Sequence, residues 1–207
     1  MDKELYIIRH GETELNRQGI VQGRGINSDL NDTGRAQAEA FYQMYKDVPF
    51  QKIYTSSLKR THQTVRRFIE SGLPWEQLSG LDELAWGEWE GQPTSENALA
   101  IFRGLVEQWQ HGYYDAKFAG GGESPNEVAI RLKEAVAHIL SHTEEKLVLV
   151  CMHGRAMRLL LCILTGKPFS DMGFFPHQNT TLYKIALNGD EFSVIDFNNT
   201  DHLQEIK

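Results

Sequence analysis

Residues 4–16 read ELYIIRHGETELN, and this stretch decides the fold. Leu5 to Ile8 are apolar at consecutive positions, so both faces of the segment favour burial, as in an interior strand of a parallel sheet. The run stops at Arg9-His10-Gly11, where a cation and an imidazole stand side by side. In open α/β sheets ligands bind outside the carboxyl ends of the strands, so a strand ending in such a pair is the floor of a candidate site.

Working outward, the chain repeats the strand-to-helix pattern. KIYTS (52–56) predicts a second short strand feeding a helix over SLKRTHQTVRRFIES (57–71), and KLVLVCM (146–152) a third that ends at His153 with the helix GRAMRLLLCILTG (154–166) behind it. In TGRAQAEAFYQMYKD (33–47), Ala36, Ala40, Phe41, Met44 and Tyr45 recur at helical spacing, with Thr33 as N-cap. Within residues 120–142, Ser124 is the expected N-cap, Pro125 the first helical residue and Glu127 the partner in a capping box. Thr94 to Tyr114 predicts a loosely patterned helix. TTLYKIAL (180–187) and FSVIDF (192–197), joined by Asn188-Gly189-Asp190, predict a hairpin. The alternation argues for one domain over residues 1–207, a three-layer α/β/α sandwich with a mostly parallel central sheet.

Composition narrows the function. The chain has 207 residues, 41% hydrophobic, with 21 basic against 28 acidic residues and a formal net charge of -7. Nucleic acid and anionic membrane are therefore not expected partners, because both select a basic face. Cys151 and Cys162 both lie in apolar stretches and read as buried thiols rather than a disulfide. The apolar run after Asp2-Lys3-Glu4 is too brief for a signal peptide and no stretch reaches membrane-span length, so a soluble, cytoplasmic protein is the expectation.

The three strand ends deliver a common chemistry. The first carries Arg9 and His10, the second Thr55, Ser56 and Ser57 with Arg60 beyond, and the third His153-Gly154 followed by Arg155. Guanidinium forks match phosphate oxygens two at a time, and helix N-termini after Ser57 and His153 are expected to add N–H donors. A metal site is disfavoured by arginines beside both histidines. No G-x-x-x-x-G-K-[ST] loop occurs, which removes a P-loop nucleotidase. A Cys-x5-Arg nucleophile also fails, because the sixth residue after Cys151 is Met157. Imidazole remains as the nucleophile at the centre of a cationic ring.

RHGET with Asn16, SSLKRTHQT, LDELAWGEWEG, GGES and MHG occur in the order and approximate spacing of the histidine phosphatase, or phosphoglycerate-mutase-like, superfamily, which this sequence resembles. The resemblance implies that His10 is phosphorylated, that Arg9, Arg60 and His153 complete the phosphate pocket, and that Glu83 is the proton donor. It also implies that Asn16, Gln22, Gly23 and Gly154 make phosphate- or substrate-side contacts. A carboxyl among Leu81, Leu84 and Trp86 suits proton transfer, although Asp82, Glu88 and Glu90 are close rivals. Arg155 departs from the small or apolar residue usual after the late His-Gly pair; the preferred expectation is that it points outward against an acid, the alternative that it adds a charge near the pocket. Trp86, Trp89 and Trp109 are expected to pack rather than to bind substrate, and His62 to be structural or exposed.

The implied activity is hydrolysis of small phosphate monoesters, with no metal or organic cofactor. The implied partners are a small phosphorylated substrate and, for assembly, a homodimer. The family's mutases carry extra basic residues between the glutamate segment and GES. Here residues 92–122 offer only Arg103 and Lys117, which favours a phosphatase over a 2,3-bisphosphoglycerate-dependent phosphoglycerate mutase. A non-catalytic phospho-ligand-binding module is the third reading, and it is disfavoured because both His10 and Glu83 are retained.

Overall fold

In the computed structural model, which describes residues 2–204, the opening apolar run forms strand β1 (Lys3–Arg9). It is followed by α1 (Glu14–Arg17), α2 (Asp32–Tyr45), β2 (Lys52–Thr55), α3 (Lys59–Glu70) and β3 (Trp75–Gln77). After an irregular stretch come α4 (Glu96–Gln110), α5 (Pro125–Ser141), β4 (Leu147–Met152), α6 (Gly154–Thr165), β5 (Leu182–Asn188) and β6 (Glu191–Asn199). The sheet order is β3-β2-β4-β1-β5-β6. Strands β3, β2, β4 and β1 are mutually parallel, whereas β5 is antiparallel to both β1 and β6.

Successive strand residues face opposite sides, and this chain uses both. Leu5 and Ile7 of β1 and Val148 and Val150 of β4 pack with Val128 and Leu132 of α5 and Leu160 of α6. Tyr6 and Ile8, with Leu149 and Cys151, pack on the other side with Phe41 and Tyr45 of α2 and Val65 and Phe68 of α3. The result is the expected three layers. Burying a side chain such as Phe41 or Leu132 contributes about 1.5–3 kcal/mol, so the two faces hold the helices firmly against the sheet. Both cysteines are buried and unpaired. Among the described residues no helix is long and apolar enough to cross a membrane.

Several boundaries differ from the sequence reading, each for a local reason. Helix α2 begins at Asp32, and its N-cap is Asn31 rather than Thr33, because the Asn31 side chain accepts from Gly34 N (2.8 Å). Helix α3 begins at Lys59, not Ser57. Asn27 Oδ1 accepts from Lys59 N (2.8 Å), while Ser57 donates its N–H and hydroxyl to Asp82. Strand β3 was not signalled: it has three residues and its two tryptophan- and glutamine-bearing ends are exposed. The capping box of α5 forms as expected, and the β5–β6 hairpin turns at Gly189, with φ +59°.

Candidate active site

Because β1, β2 and β4 are adjacent and parallel, the residues that follow them meet on one rim. His10 and His153 have ring centroids 5.2 Å apart. Both are buried, as is Arg60. His10 Nδ1 lies 2.7 Å from Gly11 O. A carbonyl only accepts, so the proton sits on Nδ1, and Nε2 keeps its lone pair. Burial, then the positive fields of Arg60 and Arg9, hold His10 well below the usual imidazole value, so the ring is neutral.

His153 takes the opposite tautomer. Its Nδ1 accepts from Arg60 Nε (3.2 Å), which forces the proton onto Nε2, where it is donated to Ser56 Oγ (2.7 Å). Ser56 Oγ also accepts from Leu58 N (3.1 Å) and donates to Thr61 Oγ1 (3.1 Å). Arg60 is fixed further by Ile26 O (2.6 Å) and Gly23 O (3.3 Å). Burial lowers both Arg60 and Arg9 to about 10, opposed by the Glu83 charge, so both stay cationic at neutral pH. Arg9 Nε is buried without a protein partner.

The other expected contacts divide into two groups. Asn16 Oδ1 accepts from Thr13 N (3.2 Å) and Asn179 Nδ2 (3.3 Å), which leaves its NH2 group as the spare donor. Gln22 is spent on Thr13 Oγ1 (2.7 Å) and on Ser28, and it lines an apolar cavity of about 260 Å³ with Trp86, Trp89, Phe102 and Phe118. Gly23 serves through its backbone: a Cβ there would lie 2.0 Å from Glu90 Oε1. Gly154 is equally confined, since a Cβ would lie 2.5 Å from His177 Cε1.

Glu83 is buried beside the start of α6. Its Oε1 accepts from Leu84 N and Ala156 N, both at 2.9 Å, and its Oε2 from Arg155 N at 3.1 Å. The helix N-terminus after His153 therefore points at Glu83, not at a free anion, which corrects the expectation of spare donors there. The start of α3 is likewise taken, by Asn27, Ser56 and Asp82. The rivals of Glu83 are committed or remote. Asp82 holds Ser57 and Arg24, Glu90 accepts from Trp86 N (3.0 Å), and Glu88 is exposed. Arg131 clamps the segment by donating to Gly80 O, Asp82 O and Glu83 O while paired with Glu123.

Arg155 is a second correction. Its guanidinium does not pair with an acid outside; it lies 5.3 Å from the Phe102 ring centroid, 5.7 Å from Trp109 and 5.8 Å from Trp86. Trp86 and Trp109 do pack, as expected, and they also face this cation. His62 is half-buried and contacts Ser56 O (3.1 Å) and Gln77.

Sequence reasoning missed the loop before β5. His177 Nδ1 accepts from Arg9 Nη1 (3.2 Å), and burial with the charges of Arg9, Arg158 and Arg155 pushes it down to about 2. Asn179 Nδ2 donates to His10 O (3.1 Å) as well as to Asn16. Thr180 holds a left-handed φ of +57°, secured by N–H donation to Arg9 O (3.1 Å) and a contact to His202 Nε2 (3.0 Å). The available signal is topological: Leu182 opens an antiparallel neighbour opposite Ile8, so whatever precedes it lies beside the end of β1.

The arrangement can hold a tetrahedral anion against a neutral imidazole, with a carboxyl to one side. The family model described as histidine phosphatase superfamily (branch 1) matches residues 5–200. Fructose-2,6-bisphosphatase TIGAR of Bos taurus is 41% identical over 97 residues, which are 44% of this chain and 36% of TIGAR. This chain thus spans little more than a third of that relative's length. Phosphoserine phosphatase 1 of Hydrogenobacter thermophilus is 28% identical over 203 residues, 98% of this chain and 95% of its own. The solved structure of Bacillus stearothermophilus YhfR has a TM-score of 0.83 at 26% identity, covering 98% of this chain and 100% of its own.

Proposed function

The chain belongs to the histidine phosphatase superfamily, branch 1, and on that premise we propose that it hydrolyses small phosphate monoesters through a phosphohistidine on His10. The orientation of His10 carries this proposal: with its proton committed to Gly11 O, Nε2 is a neutral nucleophile set among Arg9, Arg60 and His153. In the first step Nε2 attacks phosphorus, the ester P–O bond breaks, and Glu83 gives its proton to the leaving oxygen. In the second, Glu83 as carboxylate takes a proton from water, which attacks phosphorus and breaks the P–N bond. The N–H groups of Arg9 and Arg60, with the spare NH2 of Asn16, stabilise the equatorial oxygens.

Transfer to water is favoured over return to a bound intermediate because, among the described residues, neither cation of residues 92–122 bonds to a residue of the pocket. Lys117 pairs with Glu127 (2.6 Å), and Arg103 is exposed on α4. The two curated relatives above are named for fructose 2,6-bisphosphate and phosphoserine, so the proposed substrate class is a small phosphorylated metabolite. The test is to trap the phosphoenzyme with a panel of phosphate esters. An acid-labile, base-stable adduct that is absent from His10→Ala is expected. Undiminished phosphate release by His10→Ala would refute the proposal.

A further inference from the structure

Arg155 is a cation whose guanidinium has no paired acid: it feels the field of Glu83, but that carboxyl is held by backbone N–H groups. Among the described residues neither Arg155 nor Arg158, one turn later on α6, forms an ion pair. Arg158 donates Nε to Phe175 O (2.8 Å), which leaves its terminal nitrogens uncommitted. Both arginines line one cavity of about 160 Å³, shared with the polar groups of Gln110 and Ser170 and with the rings of Phe102, Trp109 and Phe169. Aromatic faces attract a guanidinium but do not neutralise it. Two like charges on neighbouring turns also repel each other. Burial, then Arg158, lowers Arg155 to about 10, where it remains charged at neutral pH. A sequence under no other demand would place an acid or an apolar residue here.

The position relative to Glu83 gives the pair a use. The backbone N–H of Arg155 is 3.1 Å from Glu83 Oε2. An oxygen that receives a proton from Glu83 must come within hydrogen-bond reach of it, so the rest of the leaving alcohol begins next to α6. We propose that Arg155, backed by Arg158, forms a second anion subsite on the leaving-group side, which selects esters whose alcohol carries a carboxylate or a further phosphate. This rests on the phosphatase reading of the site. Arg155 is the specificity-determining residue, and its planar fork suits either anion.

Matched substrate pairs test the subsite. 3-Phosphoglycerate and glycerol 3-phosphate differ by a carboxylate in place of a hydroxymethyl group; fructose 1,6-bisphosphate and fructose 6-phosphate differ by a phosphate. In the parent enzyme one anion-bearing member is expected to have a kcat/KM about tenfold or more above its neutral partner, and the preferred pair names the anion. The ratio should fall toward one in Arg155→Met and lie between in Arg155→Lys, which keeps the charge but loses the fork. A parent ratio of one for both pairs, or a ratio unchanged in Arg155→Met, overturns the subsite. Binding of the same pairs to His10→Ala protein, read by tryptophan fluorescence because Trp86 and Trp109 flank Arg155, separates the two ideas. Arg155-dependent discrimination without hydrolysis by the parent would keep the subsite and refute the phosphatase. Hydrolysis without discrimination would do the reverse.

Discussion

Replacing Glu83 separates its structural role, capping α6, from its proposed role in acid–base chemistry. Its carboxyl accepts three N–H groups, of which those of Arg155 and Ala156 are unpaired donors in the first turn of α6. Glu83→Ala removes this cap, which costs about 0.5–2 kcal/mol for the lost hydrogen bonds and roughly a further 0.3–1 kcal/mol for the charge at the helix dipole. At about 2–4 °C per kcal/mol for a chain of this size, Tm should fall by several degrees. Glu83→Gln keeps an oxygen for Leu84 N and Ala156 N but turns an NH2 toward Arg155 N, so it should lose less, on the order of 1 kcal/mol. Activity should order differently. Neither variant has an ionisable acid, so both should lose about 10²–10⁴ in kcat on an alkyl phosphate. With p-nitrophenyl phosphate, whose leaving group needs little protonation, the first step should survive and phosphoenzyme accumulate. The assays are thermal unfolding, steady-state kinetics on both esters and rapid-quench measurement of the adduct. Glu83→Gln retaining a tenth or more of parental kcat on the alkyl ester would refute the acid–base assignment, and equal Tm values for the two variants would refute the cap.

Gly154→Ala should fold but push His177 off Arg9, lowering kcat/KM; in a His177→Ala background the same change should cost little, and additive losses would show that the 2.5 Å approach is irrelevant. Ser56→Ala leaves His153 Nε2–H and Leu58 N–H without their acceptor, a loss of roughly 2–4 kcal/mol in urea unfolding, and a change below 0.5 kcal/mol would contradict the proton arrangement drawn for His153. His10 titrates well below 6.5, so kcat/KM corrected for substrate ionisation should hold through pH 6 and fall only at lower pH; an acid limb centred near 6.5 would refute the neutral nucleophile. His202 is buried against Phe41 and lowered to about 4, below its unfolded value, so the unfolded chain binds the extra proton and stability present above pH 6.5 is lost as pH falls toward 4. That contribution is roughly 3 kcal/mol; His202→Phe should flatten the pH 7 to pH 4 stability difference accordingly, and an unchanged slope would exclude it.

The fold was legible because β1 and β4 are apolar on both faces, and only burial between two helical layers satisfies such strands. Arg9, His10, Arg60 and His153 were legible for the same reason: parallel neighbours deliver their carboxyl ends to one rim. Glu83 lies in an irregular segment, and only the resemblance distinguished it from Asp82 and Glu90. Three-dimensional commitments then separate them, since Asp82 is tied to Ser57 and Arg24 and Glu90 to Trp86 N. Arg155 was misjudged because a charged residue in the first helical turn is ordinarily solvated. The aromatic rings that receive it come from residues 86, 102 and 109, whose convergence no local pattern encodes. His177 and Asn179 were missed because the rim was assembled from strand ends alone, and an antiparallel strand contributes its beginning instead.

One helix end ties these groups together. Most acids around Glu83 are held by side-chain cations or by scaffold: Asp82 by Arg24, Glu123 by Arg131, Glu90 by the loop backbone. Glu83, by contrast with Asp82 and Glu123, is fixed by three backbone N–H donors, two of them from α6. It is therefore oriented without being neutralised by a paired cation, and a group with that freedom can exchange a proton without breaking an ion pair. The residue before α6 is His153, bonded to Arg60, and Arg155 and Arg158 follow on its first two turns. The separation between Glu83, His153 and the Arg155–Arg158 pair is thus set by the register of β4 into α6, a junction buried on both sides. A change that shifts this helix along its axis moves Arg155, Arg158 and the N–H groups that hold Glu83 relative to His10, which follows β1, whereas changes within α4 alter only the walls around Arg155. On the proposed reading, substrate preference can then vary through α4 while the phosphoryl chemistry stays fixed.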